Sequence, residues 1–480
     1  MSCYIPVVGL EIHIQLALKH KMFAPENFHF GAIPNTLTSA ISLAHPGTLP
    51  TVNKKAVDYA ICLGLACGSK ITHENYFARK NYFYPDLPKG YQITQDKTPI
   101  CVGGHINYSL NGEDKVLNLI RIHMEEDAGK MVYDNVSSDV RIDFNRAGVA
   151  LLEIVTEPEI RSSDEAYAFL HELRRIVRYL GICDGNMENG SLRCDTNISV
   201  MSKDSEEYGQ RVEVKNINSM SNVKMAIECE IARQIQLLQS GKIVEPETRA
   251  FDAVTGDTKH MRKKETATDY RYFVEPDIPC LFVSDEWVNN IKSHLPLLPR
   301  VYKKKLIEEY HLSEYVASVL IEDKNILVFY ENLCSKVNDY ITVANWVIGP
   351  IKGKLNEIKL TVDELPVSTQ QIADLIGAVL NNTISYSIAS QDVLGYLVEH
   401  PECSVQEVIK TLDVIQDCDR DYIEKLTFGV LDEYKNKVIE YRNGKKGLLG
   451  LFIGEVIKRS RGKASPKVVN EVVLKCINTD

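Results

Sequence analysis

The sequence predicts an α+β protein in which a strand-rich, mixed α/β domain is followed by all-α domains. Two observations predict this. Segments that alternate apolar and polar residues with period two are confined to the first part of the chain, up to about residue 290. Past SHLPLLPR, where Pro296 and Pro299 neither continue a helix nor donate to a ladder, the pattern turns helical. A first domain up to about residue 290, followed by one or two helical domains, is therefore expected.

The alternating runs are LEIHIQL, VLNLIRIHM, SLRCDTNISV and RVEVKNI, and ALLEIVT adds a strand that is apolar on both faces except for one acid. Helical periodicity predicts helices over 164–180 (DEAYAFLHELRRIVRYL) and 223–238. Further on, Ser368 with Gln371 and Ser404 with Glu407 have capping-box spacing, in which a hydroxyl satisfies an orphan N–H of the first helical turn. There is no internal repeat and no low-complexity tract.

Composition excludes several classes. The 480 residues are 44% hydrophobic and 25% charged, ordinary for a globular chain able to bury several cores without staples. No apolar run approaches the ~18 to 20 residues that cross a membrane. The N-terminus lacks a signal or transit pattern, so a cytoplasmic protein with no membrane partner is expected. Twelve cysteines are scattered without any C-x-x-C, which reads as free thiols. The net charge of −10 conceals a basic arm. Between Lys435 and Lys475, eleven basic residues outnumber three acidic ones, 11 − 3 = +8. A local patch of this kind suits a polyanion, although a solvated Lys-rich helical surface has the same composition.

The polar residues of the alternating strands carry the chemistry. Glu11 and His13 share a strand face, ~7 Å apart. Arg121, His123 and Glu125 share another, with Glu126 and Asp127 at the strand end. Glu153 has no wet face in its own strand, and an unpartnered buried acid is costly. Arg193, Asp195 and Asn197 share a face, as do Glu213 and Lys215. In one sheet, these residues would form a carboxylate pocket with imidazoles and cations. Such oxygen-rich sets suit Mg²⁺ or Mn²⁺ beside nucleotide phosphates, with Arg121, Arg193 and Lys215 neutralising phosphate oxygens. The competing reading is the wet face of a half-exposed sheet, and His123 by itself reads as a structural histidine. Neither a P-loop, a G-x-G-x-x-G turn nor a G-x-S-x-G elbow is present. The residues alone reach a candidate divalent-metal enzyme and stop there.

The order of longer segments goes further. GLEIHIQL at 9–16, FGAIPNT at 30–36, ARKNYFYPDLPKGYQI at 78–93 and HMEEDAGK at 123–130 come first. NRAGVALLEIVTEPEIRS at 145–162, DGNMENGSLRCDTNISV at 184–200, EVKNINS at 213–219, ETR at 247–249 and DYRYFVEPDIP at 269–279 follow. ANWVIGPIKGKLN at 344–356 and GLLGLFIGEVIKRSRGKASPKVVNEVV at 447–473 complete the set. Together they resemble, over almost the whole chain, the B-subunit family of the aspartyl/glutamyl-tRNA amidotransferases (GatB/GatE).

The resemblance implies a cradle domain with a glutamine-synthetase-like kinase site over residues 1–292, a helical domain over 293–403 and a YqeY-like, tRNA-binding tail over 404–480. It implies a heterotrimer with a glutaminase A subunit and a C subunit, acting on aminoacyl-tRNA and not on DNA. Misacylated Glu-tRNA(Gln), Asp-tRNA(Asn) or both would be phosphorylated on the side-chain carboxylate with ATP and Mg²⁺, then amidated with glutamine-derived ammonia. A carboxylate is a poor electrophile, and an acyl phosphate supplies a good leaving group. Carried over by motif, Glu11, His13, Glu125 and Glu153 would hold the metal, and Glu126 would join them as a catalytic acid. Arg193, Asp195 and Lys215 fall on the nucleotide side. Lys458, Arg459, Arg461 and Lys463 would meet tRNA phosphates. Arg79, Lys80, Tyr82 and Tyr84 line either the site or an ammonia channel, or form a structural aromatic cluster.

The chain departs from the family in one respect. Many members carry four zinc-binding cysteines, two after K-x-F and two as C-x-x-C before a P-G turn. Here those stretches read KMFAPEN at 21–27 and SAISLAHPGTLP at 39–50, so no structural zinc is expected. Pro246 also stands before Glu247 where members often have glutamine, and the sequence assigns it no effect. Two rival functions are a stand-alone ATP-dependent carboxylate–amine ligase acting on a free metabolite and a non-catalytic tRNA-binding scaffold. The first lacks an internal ammonia source, and the second makes the acids dispensable.

Overall fold

The structure is a computed structural model that describes residues 3–133, 139–263, 270–415, 420–460 and 463–478. The chain divides into two compact units, Met1–Pro299 and Arg300–Asp480. The division falls at the predicted proline segment. Pro299 opens the helix Pro299–Glu308, where its missing N–H costs nothing.

The first unit is built on a mixed sheet of ten strands among the described residues. Seven of these matter here: β1 (Tyr4–Gln15), β2 (Glu113–Glu126), β3 (Ala150–Thr156), β4 (Leu192–Ser202), β5 (Val212–Lys215), β6 (Glu247–Asp252) and β7 (Asp257–Lys263). Their order across the sheet is β7-β6-β5-β4-β1-β3-β2. All neighbours are antiparallel except β5 and β6, which are parallel.

Period-two alternation decides which face is buried. Leu10, Ile12 and Ile14 of β1 lie in the core with Ile122 and Met124 of β2, Leu152 and Ile154 of β3, and Leu192, Cys194 and Ile198 of β4. This apolar face is covered by α1 (Lys54–Ala66), α2 (Ser163–Tyr179) and α3 (Met220–Gln239), which contribute Ala60, Phe169, Leu173, Val223 and Ile227 to the same cluster. The helices start at side-chain caps. Asn53 accepts from Lys55 N, Ser162 from Glu165 N and Ser219 from Asn222 N. The observed α2 and α3 agree with the predicted 164–180 and 223–238 to within a few residues.

The second unit is helical, and both predicted capping boxes form. Ser368 N donates to Gln371 Oε1 at 2.9 Å and Ser404 N to Glu407 Oε2 at 2.9 Å, with the serine hydroxyls accepting in return. Within this unit Ile423, Val430, Phe452, Val456, Val469 and Val473 form a core that holds the last helices together. Among the described residues every cysteine is a free thiol, and no helix is long and apolar enough to cross a membrane.

Candidate metal and nucleotide site

The polar residues singled out by alternation come together on the sheet face opposite the helices. Register explains how. His13 of β1 lies directly across from Glu153 of β3 on one side and Arg193 of β4 on the other, and Glu153 in turn faces His123 of β2. Residues directly opposite in antiparallel strands project to the same face, so Arg193, His13, Glu153 and His123 form one row across four strands. One repeat along lies a second row, Asp195, Glu11, Val155 and Arg121. Glu125 sits two residues beyond His123, on the same side of β2.

Three of these groups could share an ion. His13 Nε2 is 3.2 Å from Glu125 Oε1 and 3.4 Å from Glu153 Oε2. One donor atom from each of the three lies within 4.8 Å of the other two. His123 points at the same carboxylates, with Nε2 3.2 Å from Glu153 Oε2 and 3.7 Å from Glu125 Oε2, while its buried Nδ1 has no hydrogen-bond partner. Burial opposes charge on His13, yet Glu153 and Glu125 raise its pKa to about 10. His123 shifts upward against the same opposition from burial. For Glu125, burial works against ionisation, but the two imidazoles outweigh it and hold the carboxyl at about 2. Glu153 is likewise held well below the usual carboxylate range.

The remaining expected residues occupy distinct places. Glu11 is not in the three-residue group and accepts instead from Asn197 Nδ2 at 2.8 Å. Asp195 binds Lys215 Nζ at 2.5 Å, and the ammonium also lies 3.0 Å from Glu213, whose carboxylate accepts from Thr248 at 3.0 Å. Arg193 donates to Asp127 at 2.8 Å, and its buried Nε has no hydrogen-bond partner. Glu126 follows Glu125 but projects to the other side of β2. There it binds Lys89 Nζ at 2.5 Å and accepts from Ile93 N at 2.9 Å, so the structure does not bring it to the imidazoles.

The Ala78–Asn81 strand splits its two cations the same way. Arg79 pairs with Glu275 at 2.7 Å and Asp277 at 3.0 Å. Lys80 lies 5.0 Å from the Tyr270 ring and 5.8 Å from Tyr82. Burial lowers the Lys80 pKa, but Tyr272, Glu125 and Glu153 outweigh it, for a net upward shift. Tyr82 packs edge-on against both Tyr84 and Tyr270.

Sequence reasoning read His123 as structural, placed Asn197 on one face with Arg193 and Asp195 without assigning it a role, and did not single out Lys89. For His123 the signal was present, because it shares a strand face with Glu125. Lys89 is marked only by contacts between distant segments. In the tail, Lys458 is exposed and 3.8 Å from Glu455, Arg459 pairs with Glu433, and Lys463 pairs with Asp413 at 2.6 Å. Arg461 lies outside the described residues.

A broad sheet backed by helices, with two carboxylates and two imidazoles gathered on the face away from them, has the donor set of a candidate divalent-cation site on an α+β scaffold. Comparison with known proteins narrows this. Residues 6–289 match the GatB/GatE catalytic domain and residues 328–477 match the GatB domain. The chain is 45% identical over 477 residues to the aspartyl/glutamyl-tRNA(Asn/Gln) amidotransferase GatB protein of Geobacter sp. (strain M21), covering 98% of this chain and 99% of that one. It is 42% identical to the Thermodesulfovibrio yellowstonii counterpart over 474 residues, covering 99% of each chain. Against the Dichelobacter nodosus counterpart it is 41% identical over 477 residues, covering 99% of this chain and all of that one. The chain belongs to the GatB family, the B subunits of the aspartyl/glutamyl-tRNA(Asn/Gln) amidotransferases.

Proposed function

We propose that this chain is the carboxylate-activating component of a cytoplasmic heterotrimeric amidotransferase, working with a glutaminase A subunit, a C subunit and misacylated tRNA. The observation that carries the reading is the convergence of His13, Glu125 and Glu153 from three strands. These residues fit Mg²⁺, and the ion bound there would supply charge neutralisation for ATP phosphates. His13, Glu125 and Glu153 hold the ion. His123 orients both carboxylates through its short contacts with them. Glu11 lies one repeat along the strand, on the nucleotide side with Asp195. Arg193 and Lys215 sit on the same face and balance phosphate charge, held in place by Asp127 and by Asp195 and Glu213. Glu126 serves indirectly by holding Lys89 and the Tyr91–Thr94 strand against the end of β2. Lys80 and the tyrosines around it shelter the reacting carboxylate, so that ammonia arrives unprotonated and water is excluded.

The tail residues Lys458, Arg459 and Lys463 are proposed to meet tRNA phosphates. Their present partners are surface acids, and such pairs are worth only ~0–1 kcal/mol, so a phosphate can displace them. Residues 293–403 then act as a helical link between the catalytic domain and the tail.

The test is to co-express the chain with its A and C partners and supply Glu-tRNA(Gln), Asp-tRNA(Asn), ATP and glutamine. Amidated aminoacyl-tRNA is expected, and it disappears with His13→Ala or Glu125→Ala while glutamine hydrolysis survives. Full amidation by both variants would refute the site.

A further inference from the structure

The connection that leaves β1 folds back on itself. His20 bridges to Asn27, Met22 N donates to Gly148 O at 2.8 Å, and Asn53 ties the loop to α1 by donating to Lys21 O at 3.1 Å. At its centre lies Lys21, fully buried, with Nζ 3.2 Å from Glu26 Oε1. Ser39 and Ser42 lie near enough to the same carboxylate to favour its charged form, while the Ser42 hydroxyl donates to Ser39 O at 3.3 Å. Burial works against ionisation of Glu26, but the two hydroxyls and Lys21 outweigh it and lower its pKa. Neither Glu26 oxygen nor Lys21 Nζ completes a well-aligned hydrogen bond. Burial lowers the Lys21 pKa against the pull of Glu26, so the ammonium stays charged chiefly by virtue of that carboxylate 3.2 Å away, and the two charges depend on one another.

Glu26, Ser39 and Ser42 stand in the stretches where other family members carry zinc-binding cysteines, and the two serines keep the C-x-x-C spacing. The residues present do not fit zinc. Structural zinc needs four anionic or imidazole donors, and here the stretches offer one carboxylate, two neutral hydroxyls and the methyl group of Ala24. The single anionic donor already has an ammonium 3.2 Å away, which repels a cation. The cluster also abuts the catalytic strand. A Cβ added to Gly148 would lie 3.4 Å from Lys21 Cδ, 3.8 Å from Ser42 Cβ and 3.9 Å from Glu126 Oε2.

We propose that Lys21 and Glu26, with Ser39 and Ser42, form a metal-free ionic clasp that closes residues 20–53 and replaces the family's structural zinc. Removing one charge leaves the other buried and unpaired, whereas removing both leaves no buried ion without its counter-charge, so the two substitutions must be strongly non-additive.

The test uses the assembled heterotrimer. Glu26→Gln is expected to lower the Tm of this chain by about 5 °C or more, and Lys21→Met/Glu26→Gln to recover at least half of that loss. Amidation without added zinc and Tm in a strong zinc chelator are expected to match the untreated complex. Additive effects of the two substitutions would overturn the clasp, as would a zinc ion that is lost in Ser39→Ala/Ser42→Ala. If Glu26→Gln fails to assemble, assembly of the double variant supports the proposal and its failure overturns it.

Discussion

Substituting Glu153 by Gln tests the arrangement of the site directly. Its carboxylate contacts both imidazoles, His13 at 3.4 Å and His123 at 3.2 Å. At an effective dielectric of ~20, a unit charge pair at this separation is coupled by ~5 kcal/mol. The side chains of Glu153 and His13 retain 14% and 21% exposure, so solvent trims the coupling to ~2–4 kcal/mol. A divalent ion in place of the imidazolium depends on the same carboxylate at least as strongly. The expected loss in ion affinity is therefore about 30- to 1000-fold. Mn²⁺ binding to the purified heterotrimer, measured calorimetrically without ATP or tRNA, reads this loss without interference from other ligands of the metal. Glutamine hydrolysis by the glutaminase partner, expected to change less than about two-fold, serves as the control. An unchanged Mn²⁺ affinity in Glu153→Gln would refute the assignment of this carboxylate to the ion.

Neighbouring acids should separate by face. Glu125→Gln should cut amidation by about 10²-fold or more, whereas Glu126→Gln should act chiefly by lowering Tm, because Lys89 and Ile93 N lose their partner. Ion binding should release protons, and apparent Mn²⁺ affinity should rise with pH through the neutral range, because the His13 imidazole is raised to about 10 and must lose its proton to coordinate. In metal-free protein, the raised His13 pKa contributes stability that is complete below the unfolded value of ~6.5 and lost as pH rises toward 10. The depressed Glu125 pKa contributes stability present above ~4.5 and lost as pH falls toward 2. His13→Ala should thus cost more stability at pH 6 than at pH 9 in thermal melts. Replacing Lys458, Arg459 and Lys463 together by Ala should weaken tRNA binding and make the log–log salt dependence shallower by about 2–3, with little change at saturating tRNA.

The face a residue occupies was legible in the sequence, whereas its partner across the sheet was not. Alternation alone placed Glu11 with His13 and His123 with Glu125, because a strand offers only two sides. It also made Glu153 conspicuous, as an acid in a strand otherwise apolar on both faces. Register between strands distant in sequence decides the rest. Nothing in LEIHIQL says that His13 will lie opposite Glu153 and not opposite Val155, two residues away. Glu126 shows the limit most clearly. It sits beside Glu125 in a run of three acids, and only the parity of β2 sends it to Lys89. His123 reads as a structural histidine in the sequence, and the structure leaves it outside the three-residue group while bringing the Glu153 carboxylate to within 3.2 Å of it.

The charges within the cluster indicate why two imidazoles are needed where one would serve as a ligand. Glu125 and Glu153 lie side by side on a mostly buried surface, and two adjacent carboxylates do not both stay ionised there without compensation. Each of them contacts both His13 and His123, so positive and negative groups alternate around the cluster. With both imidazoles protonated, two negative charges face two positive ones. A divalent cation brings the same two charges, so exchanging two protons for one ion leaves the local charge unchanged. On the proposed reading the sheet would hold these donors in place in either state, with no rearrangement required to accept an ion. His13→Ala and His123→Ala should consequently differ in kind. The first would remove a proposed ligand and a proton, and the second a proton and a positioning contact but no ligand. Calorimetry in buffers of different ionisation enthalpy should therefore show Mn²⁺ still binding to His123→Ala, with about one proton fewer released. Equal proton release by His123→Ala and the unmodified chain would show that His123 does not take part in the exchange.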